Sequence, residues 1–163
     1  MNVDLALPLA RSLDEMRVVR PFGAVEARYA GFGLAGHNGL DLAAEAAELV
    51  LAVDEGEVVE VRFDPAGYGV TVKLAHAWGE SRYAHGLPRS VPVAFGLGWR
   101  VRRGERVLLA AGPHVHIALR LQDEPAADGF GGCTDPAPHF GLNLPAGRVQ
   151  PSIAARSPRR RQA

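Results

Sequence analysis

The chain is nearly empty of the chemistries that a sequence usually shows first. It has one cysteine, Cys133, so no internal disulfide can form, and a lone thiol outside a matched motif reads as an inert side chain. Lys73 is its only lysine, and Asn, Gln and Met are scarce, a pattern that fits a heat-adapted protein or a GC-rich genome. No apolar run approaches the ~18–20 residues of a membrane helix, which excludes membrane insertion by that route. The start, "MNVDLALPLARSLDEMR", has an acid at position 4 and no basic region leading into an apolar stretch, so it does not read as a secretory signal. No HExxH motif is present, which removes the commonest helical zinc-peptidase signature.

What remains is ordinary in bulk and uneven in detail. The 163 residues, 47% hydrophobic and 22% charged, suffice for one domain with a substantial core. Formal charge is zero, but the last eight residues carry Arg156, Arg159, Arg160 and Arg161 and no acid. The rest therefore holds 14 basic against 18 acidic residues, a net of −4. Such a tail is a solvated end that offers weak contact to an anionic surface. Nothing else points to nucleic acid, and nothing demands more than a monomer.

Along the chain, short strands are punctuated by Gly, Pro and Asp. In "VTVKLAH", Val70, Val72, Leu74 and His76 alternate with Thr71, Lys73 and Ala75, a period of two. Turn signals recur every ~8–12 residues, and the spacing predicts an antiparallel, mainly β domain. The one helix candidate is the Ala- and Glu-rich "LDLAAEAAEL", residues 40–49, and from about Gln122 onward the composition reads as loosely ordered. There is no internal repeat.

Three histidine-bearing stretches stand out. "GHNGLD" sets His37 and Asp41 four apart around Gly39, a turn able to bring an imidazole and a carboxylate to one cation, or one in which Asp41 merely caps backbone amides. "RYAHG" contains His85, which alone reads as a satisfied surface histidine. "GPHVHI" places His114 and His116 on one face of a strand, with Val115 and Ile117 on the other. Two histidines and a carboxylate from this set suit a catalytic zinc with an open fourth position, and two histidines remain for proton transfer. His76, on an apolar face, and His139, in the C-terminal segment, read as structural.

In order and spacing these stretches resemble the M23 (lysostaphin- or LytM-like) zinc metallopeptidases, which cut the peptides of bacterial peptidoglycan. "RPFG" is similar to the family's opening motif, "HNGLDLAA" to H-x-G-x-D, and "RYAHG" to Y-x-H. "VRRGERV" and "GPHVHI" match V-x-x-G-x-x-V and G-P-H-x-H, and "TDPAP" the closing segment. The resemblance implies a peptidase domain over residues 21–140, between an N-terminal segment (1–20) and a C-terminal segment with the basic tail (141–163). It implies an antiparallel sandwich/barrel hybrid with its metal on the floor of an open groove. It also implies Zn²⁺ held by His37, Asp41 and His116, with His85 and His114 as the catalytic histidines. Peptidoglycan would be the substrate and phage endolysin-like lysis the setting, with synthesis in the cytoplasm and release to the wall through a holin or another route. The alternative is a non-catalytic LytM-like module that binds the wall or activates an amidase. The chain departs from the family in a shorter loop before Gly112, in "IAL" after the HxH, in Gly86 after His85, and in Tyr29 lying further upstream of His37 than the family's tyrosine.

Overall fold

The computed structural model describes residues 3–126 and 128–144, so the arginine tail falls outside the described residues. Nine antiparallel strands carry the fold: β1 (Val18–Arg20), β2 (Leu40–Ala43), β3 (Leu49–Leu51), β4 (Gly56–Asp64), β5 (Gly69–His76), β6 (Gly79–Gly86), β7 (Arg100–Val101), β8 (Arg106–Leu109) and β9 (His114–Leu121). Seven form one sheet in the order β1-β2-β9-β6-β5-β4-β7, and β3 pairs with β8 in a second, two-stranded sheet. A single helical turn, α1 (Ala27–Ala30), and two 3₁₀ turns complete the described elements. None of these helices is long and apolar enough to cross a membrane.

The period of two read from the sequence becomes the two faces of the large sheet. Leu40 and Leu42 of β2 sit opposite Ile117 and Val115 of β9, and Tyr83 of β6 opposite Ile117 and Val72. All of these are fully buried, in one cluster with Val50, Val107 and Leu108 of the small sheet. Burying this set supplies the main driving force for folding. The intervening side chains, Asp41, His114 and His116, project from the other face. The N-terminal segment joins the same core through Leu5, Leu9 and Met16, and Leu9 bridges to Val50.

The helix expected over 40–49 is instead β2, a turn and the start of β3. Leu40, Leu42 and Ala44 are all buried while Asp41 faces away, an arrangement a helix cannot produce. Pairing to β9 overrides the helix propensity of the alanines. Among the described residues after Gln122, the chain is also more closely tied to the core than its composition suggested. Thr134 bridges to Leu119, and the 3₁₀ turn Ala137–Phe140 buries Ala137 and Phe140 in the core. Its Asp residues specify turns: the Asp128 carboxylate accepts from the Phe130 and Gly132 amides, and Asp135 from Ala137.

His76 is hydrogen-bonded, as expected, but only half-buried. Its ring stacks on Trp78 at 4.4 Å, Nδ1 lies 2.6 Å from the Glu55 carbonyl, and Nε2 lies 2.7 Å from Ser81 Oγ. Ser81 and Tyr83 share a hydrogen bond of 3.0 Å, and the Val53 amide donates to the Tyr83 oxygen at 2.9 Å. For every group to be paired, Nδ1–H donates to Glu55, the serine hydroxyl to Nε2, and the tyrosine hydroxyl to the serine. That order requires a neutral imidazole, and burial holds the His76 pKa below its ordinary value. Tyr83→Phe should cost about 1–3 kcal/mol, because it strands the buried Val53 amide and removes a hydrogen bond to Ser81. Urea denaturation at pH 7 measures this. In the native protein, the stability that neutral His76 contributes is complete above pH ~6.5, and it is lost as pH falls through the lowered native value.

Candidate metal centre

His37 is set by the loop that precedes it. The Gly23 amide donates to the His37 carbonyl and the His37 amide to the Ala24 carbonyl, both at 2.8 Å, so residues 21–24 clasp the chain just before β2. His37 Nδ1 lies 3.0 Å from the Pro21 carbonyl. An imidazole that donates there keeps its proton on Nδ1 and presents Nε2 as a lone pair. Asp41 follows on β2, directly opposite His116 on β9.

Three ligand-type atoms then converge. His37 Nε2 is 3.0 Å from His116 Nδ1, His116 Nδ1 is 2.8 Å from Asp41 Oδ1, and His37 Nε2 is 3.1 Å from that same oxygen. All three residues are at most 3% exposed. A neutral His116 brings at most one proton to this triangle, and a carboxylate brings none. One proton cannot satisfy three mutual contacts, so the arrangement suits a shared cation. A tetrahedral site with bonds of ~2.0–2.1 Å has ligand–ligand edges of ~3.3 Å, close to the distances seen. Two nitrogens and one oxygen are also a donor set that zinc accepts.

The surroundings keep these groups in their ligating forms. Burial acts to raise the Asp41 pKa, but the close His116 and His37 imidazoles outweigh it and hold the carboxyl well below the usual range. Burial lowers the pKa of His116 and of His114, more than Asp41 raises either. The other Asp41 oxygen, Oδ2, accepts from Arg20 Nη1 at 2.7 Å, and Arg20 is braced in turn by Glu26 at 2.6 Å. Arg20 thus leaves Asp41 a single oxygen for the triangle.

The other two histidines open toward solvent beside the triangle. The His114 and His85 rings are 4.7 Å apart edge to face, His114 Nε2 is 3.8 Å from Asp41 Oδ2, and the His114 side chain is 25% exposed. His85 adopts a left-handed backbone (φ 62°), held by its amide's bond to the Tyr68 carbonyl at 2.7 Å. Burial, then the His114 and His116 charges, push its pKa down to about 4. All five residues singled out in the sequence therefore meet at one place, while His76 and His139 lie apart with backbone partners.

Four contributors escaped sequence reasoning or were only half seen. Gly39 was read as a turn residue, and the chain does bend there, without a left-handed φ. A Cβ there would lie 2.5 Å from His116 Cε1, so glycine is needed to let the third imidazole in. Arg20 stands in the "RPFG" motif, but nothing in the chain foretells a partner 21 residues on. Tyr68 packs beside both the His116 and His85 rings, 5.5 and 6.0 Å away. Tyr29 is buried on α1 with its ring 5.7 Å from that of His37.

Two outcomes are expected. Gly39→Ala should fold but weaken zinc binding roughly 10–100-fold, as disturbed ligand support does, which competition with a chromophoric chelator measures. In metal-free protein the His85 ring should titrate near pH 4, read from imidazole NMR shifts. Its contribution to stability is complete above pH ~6.5 and disappears as pH falls through that value. A midpoint near pH 6.5 would show the ring to be solvated.

Among known sequences, the family described as peptidase family M23 matches residues 35–127, a span that includes all five site residues and more than half of the chain. No curated protein matches it. Among solved structures, a Pseudomonas aeruginosa protein assigned to the M23 peptidases is 25% identical over 88% of this chain and 52% of its own, with a TM-score of 0.59. The catalytic domain of the antimicrobial peptidase lysostaphin from Staphylococcus simulans is 19% identical over 79% of this chain and 95% of its own (TM-score 0.61). A zinc-containing peptidase from Vibrio cholerae is 22% identical over 82% and 39% (TM-score 0.58). The chain thus spans about half the length of the Pseudomonas protein and nearly all of the lysostaphin catalytic domain.

Proposed function

Because the chain belongs to peptidase family M23, we propose that it is a zinc-dependent endopeptidase that hydrolyses the stem or cross-bridge peptides of bacterial peptidoglycan. The observation that carries this reading is the buried triangle of His37 Nε2, Asp41 Oδ1 and His116 Nδ1, with two further neutral imidazoles at its open side. In the proposed assignment the first three residues hold the metal and His85 and His114 do the proton work.

Bound zinc would supply Lewis acidity toward the scissile carbonyl and toward water. The chain's own groups account for the rest. Neutral imidazoles are required at the open side, since a protonated ring cannot accept a proton from the attacking water, and burial keeps both rings neutral at pH 7. One of the pair takes that proton, and the other donates to the oxygen that gains negative charge or returns a proton to the leaving amine. The side-chain spacing along β9 suits the division, since His114 and His116 share a face with Cβ atoms ~6–7 Å apart. One can ligate while the other faces the substrate. Arg20 fixes the Asp41 carboxylate from behind. The lysostaphin and Vibrio cholerae peptidases, which share the fold, support peptidoglycan and zinc as the substrate and metal to try first.

The deciding experiment incubates zinc-loaded protein with isolated peptidoglycan of several wall types and identifies soluble fragments by mass spectrometry. Chelator-stripped protein and His114→Ala protein run in parallel. New peptide termini are expected only with the intact, zinc-loaded chain, and His114→Ala should lower the rate by about 10²–10⁴-fold. If zinc binds one per chain and no wall type is cut, the peptidase reading falls, and a module that activates a separate amidase takes its place.

A further inference from the structure

Arg82 is a cation on the site face that has no counter-charge among the described residues. It lies on β6 opposite Ala118, two residues along from the Ala84–His116 pair. With strands ~4.8 Å apart and ~3.3 Å per residue, its Cα is ~8 Å from that of His116, the span of about two residues of an extended peptide. It points the same way as His116, because both are even steps along paired strands.

The carboxylates around it are already engaged. Asp41 is held by Arg20 at 2.7 Å, Glu80 pairs with Lys73 at 3.6 Å, and Asp128 accepts backbone amides of its own loop. Among the described residues Arg82 forms no ion pair, and its Nε is buried with no hydrogen-bond partner. A buried donor without an acceptor is a cost that native structures rarely leave standing, and a guanidinium multiplies it. Tyr68 flanks the same triangle, its ring 5.5 Å from that of His116.

We propose that Arg82 is a specificity-determining residue whose guanidinium binds a free carboxylate of the peptide substrate, within about two residues of the bond to be cut. A planar fork of N–H donors matches a carboxylate and discriminates against the isosteric amide, which offers one acceptor and no charge. The ligand is therefore an acidic peptide. The inference rests on the reading of the triangle as a peptide-cleaving centre.

The test is a binding measurement that does not need turnover. Zinc-loaded His114→Ala chain is titrated calorimetrically with two pairs of probes. One pair is a peptidoglycan stem pentapeptide whose glutamate α-carboxyl is either free or amidated. The other is pentaglycine with a free or an amidated C-terminus. In at least one pair the carboxylate should bind about tenfold or more tighter than the amide. Adding Arg82→Gln should abolish that preference without changing affinity for the amide or the zinc stoichiometry, and Arg82→Lys should restore part of it. No preference in either pair, or a preference that survives Arg82→Gln, overturns the proposal. Should Arg82→Gln fail to fold, Arg82→Lys decides: a preference reduced several-fold supports it, and an unchanged one overturns it. A preference without any wall cleavage would sink the peptidase reading alone, and cleavage without a preference would sink this inference alone.

Discussion

Three lone pairs brought within 3.1 Å of one another, with at most one proton among them, form the constraint around which the rest of the molecule is arranged. Left alone, such a cluster repels itself, and burial makes the repulsion worse by removing water. The surrounding chain supplies what opposes it. The Pro21 carbonyl fixes the tautomer of His37, Arg20 neutralises the outer oxygen of Asp41, and the missing Cβ of Gly39 leaves room for His116. Each of these costs something elsewhere in the chain, such as a buried charge or a glycine in a strand entrance. A cation at the centre would turn the same geometry from a liability into the strongest local interaction.

The large sheet makes this constraint affordable by keeping polar and apolar demands apart. β2 and β9 pair so that Leu40, Leu42, Val115 and Ile117 face the core while Asp41, His114 and His116 face away. A slip of one residue would send the leucines to the site and the ligands into the core, so the hydrophobic pattern enforces the register that aligns Asp41 with His116. The same separation holds one strand over, where Tyr83 faces the core and Arg82 the site. Stability and chemistry are thus written on alternate residues of the same strands. The polar chain of His76, Ser81 and Tyr83 lies outside the site, and it ties β5 and β6 to the backbone of Val53 and Glu55.

Two expectations failed for one reason, the second only among the described residues. Residues 40–49 have the composition of a helix, and residues 128–144 that of a loose end, and both judgments came from local preference. Long-range pairing decided otherwise, through β9 against β2 in the first case and the Leu119–Thr134 bridge with buried Phe140 in the second. Local preferences are worth a few tenths of a kcal/mol per residue, whereas a fully buried leucine contributes roughly 1.5–3 kcal/mol.

The sequence by itself determined the strand periodicity and the absence of an internal disulfide, and its resemblance to the M23 peptidases singled out His37, Asp41, His85, His114 and His116. The first two are carried by residue type and local spacing, the third by the order of several short motifs along the chain. Tertiary structure alone decided that Arg20 reaches Asp41, that Tyr68 packs beside two imidazoles, that Gly39 leaves room for His116, and that Arg82 has no ion-pair partner among the described residues. These depend on contacts between segments tens of residues apart, set by strand order and register. No local pattern in a single chain encodes which side chains such a register will bring face to face.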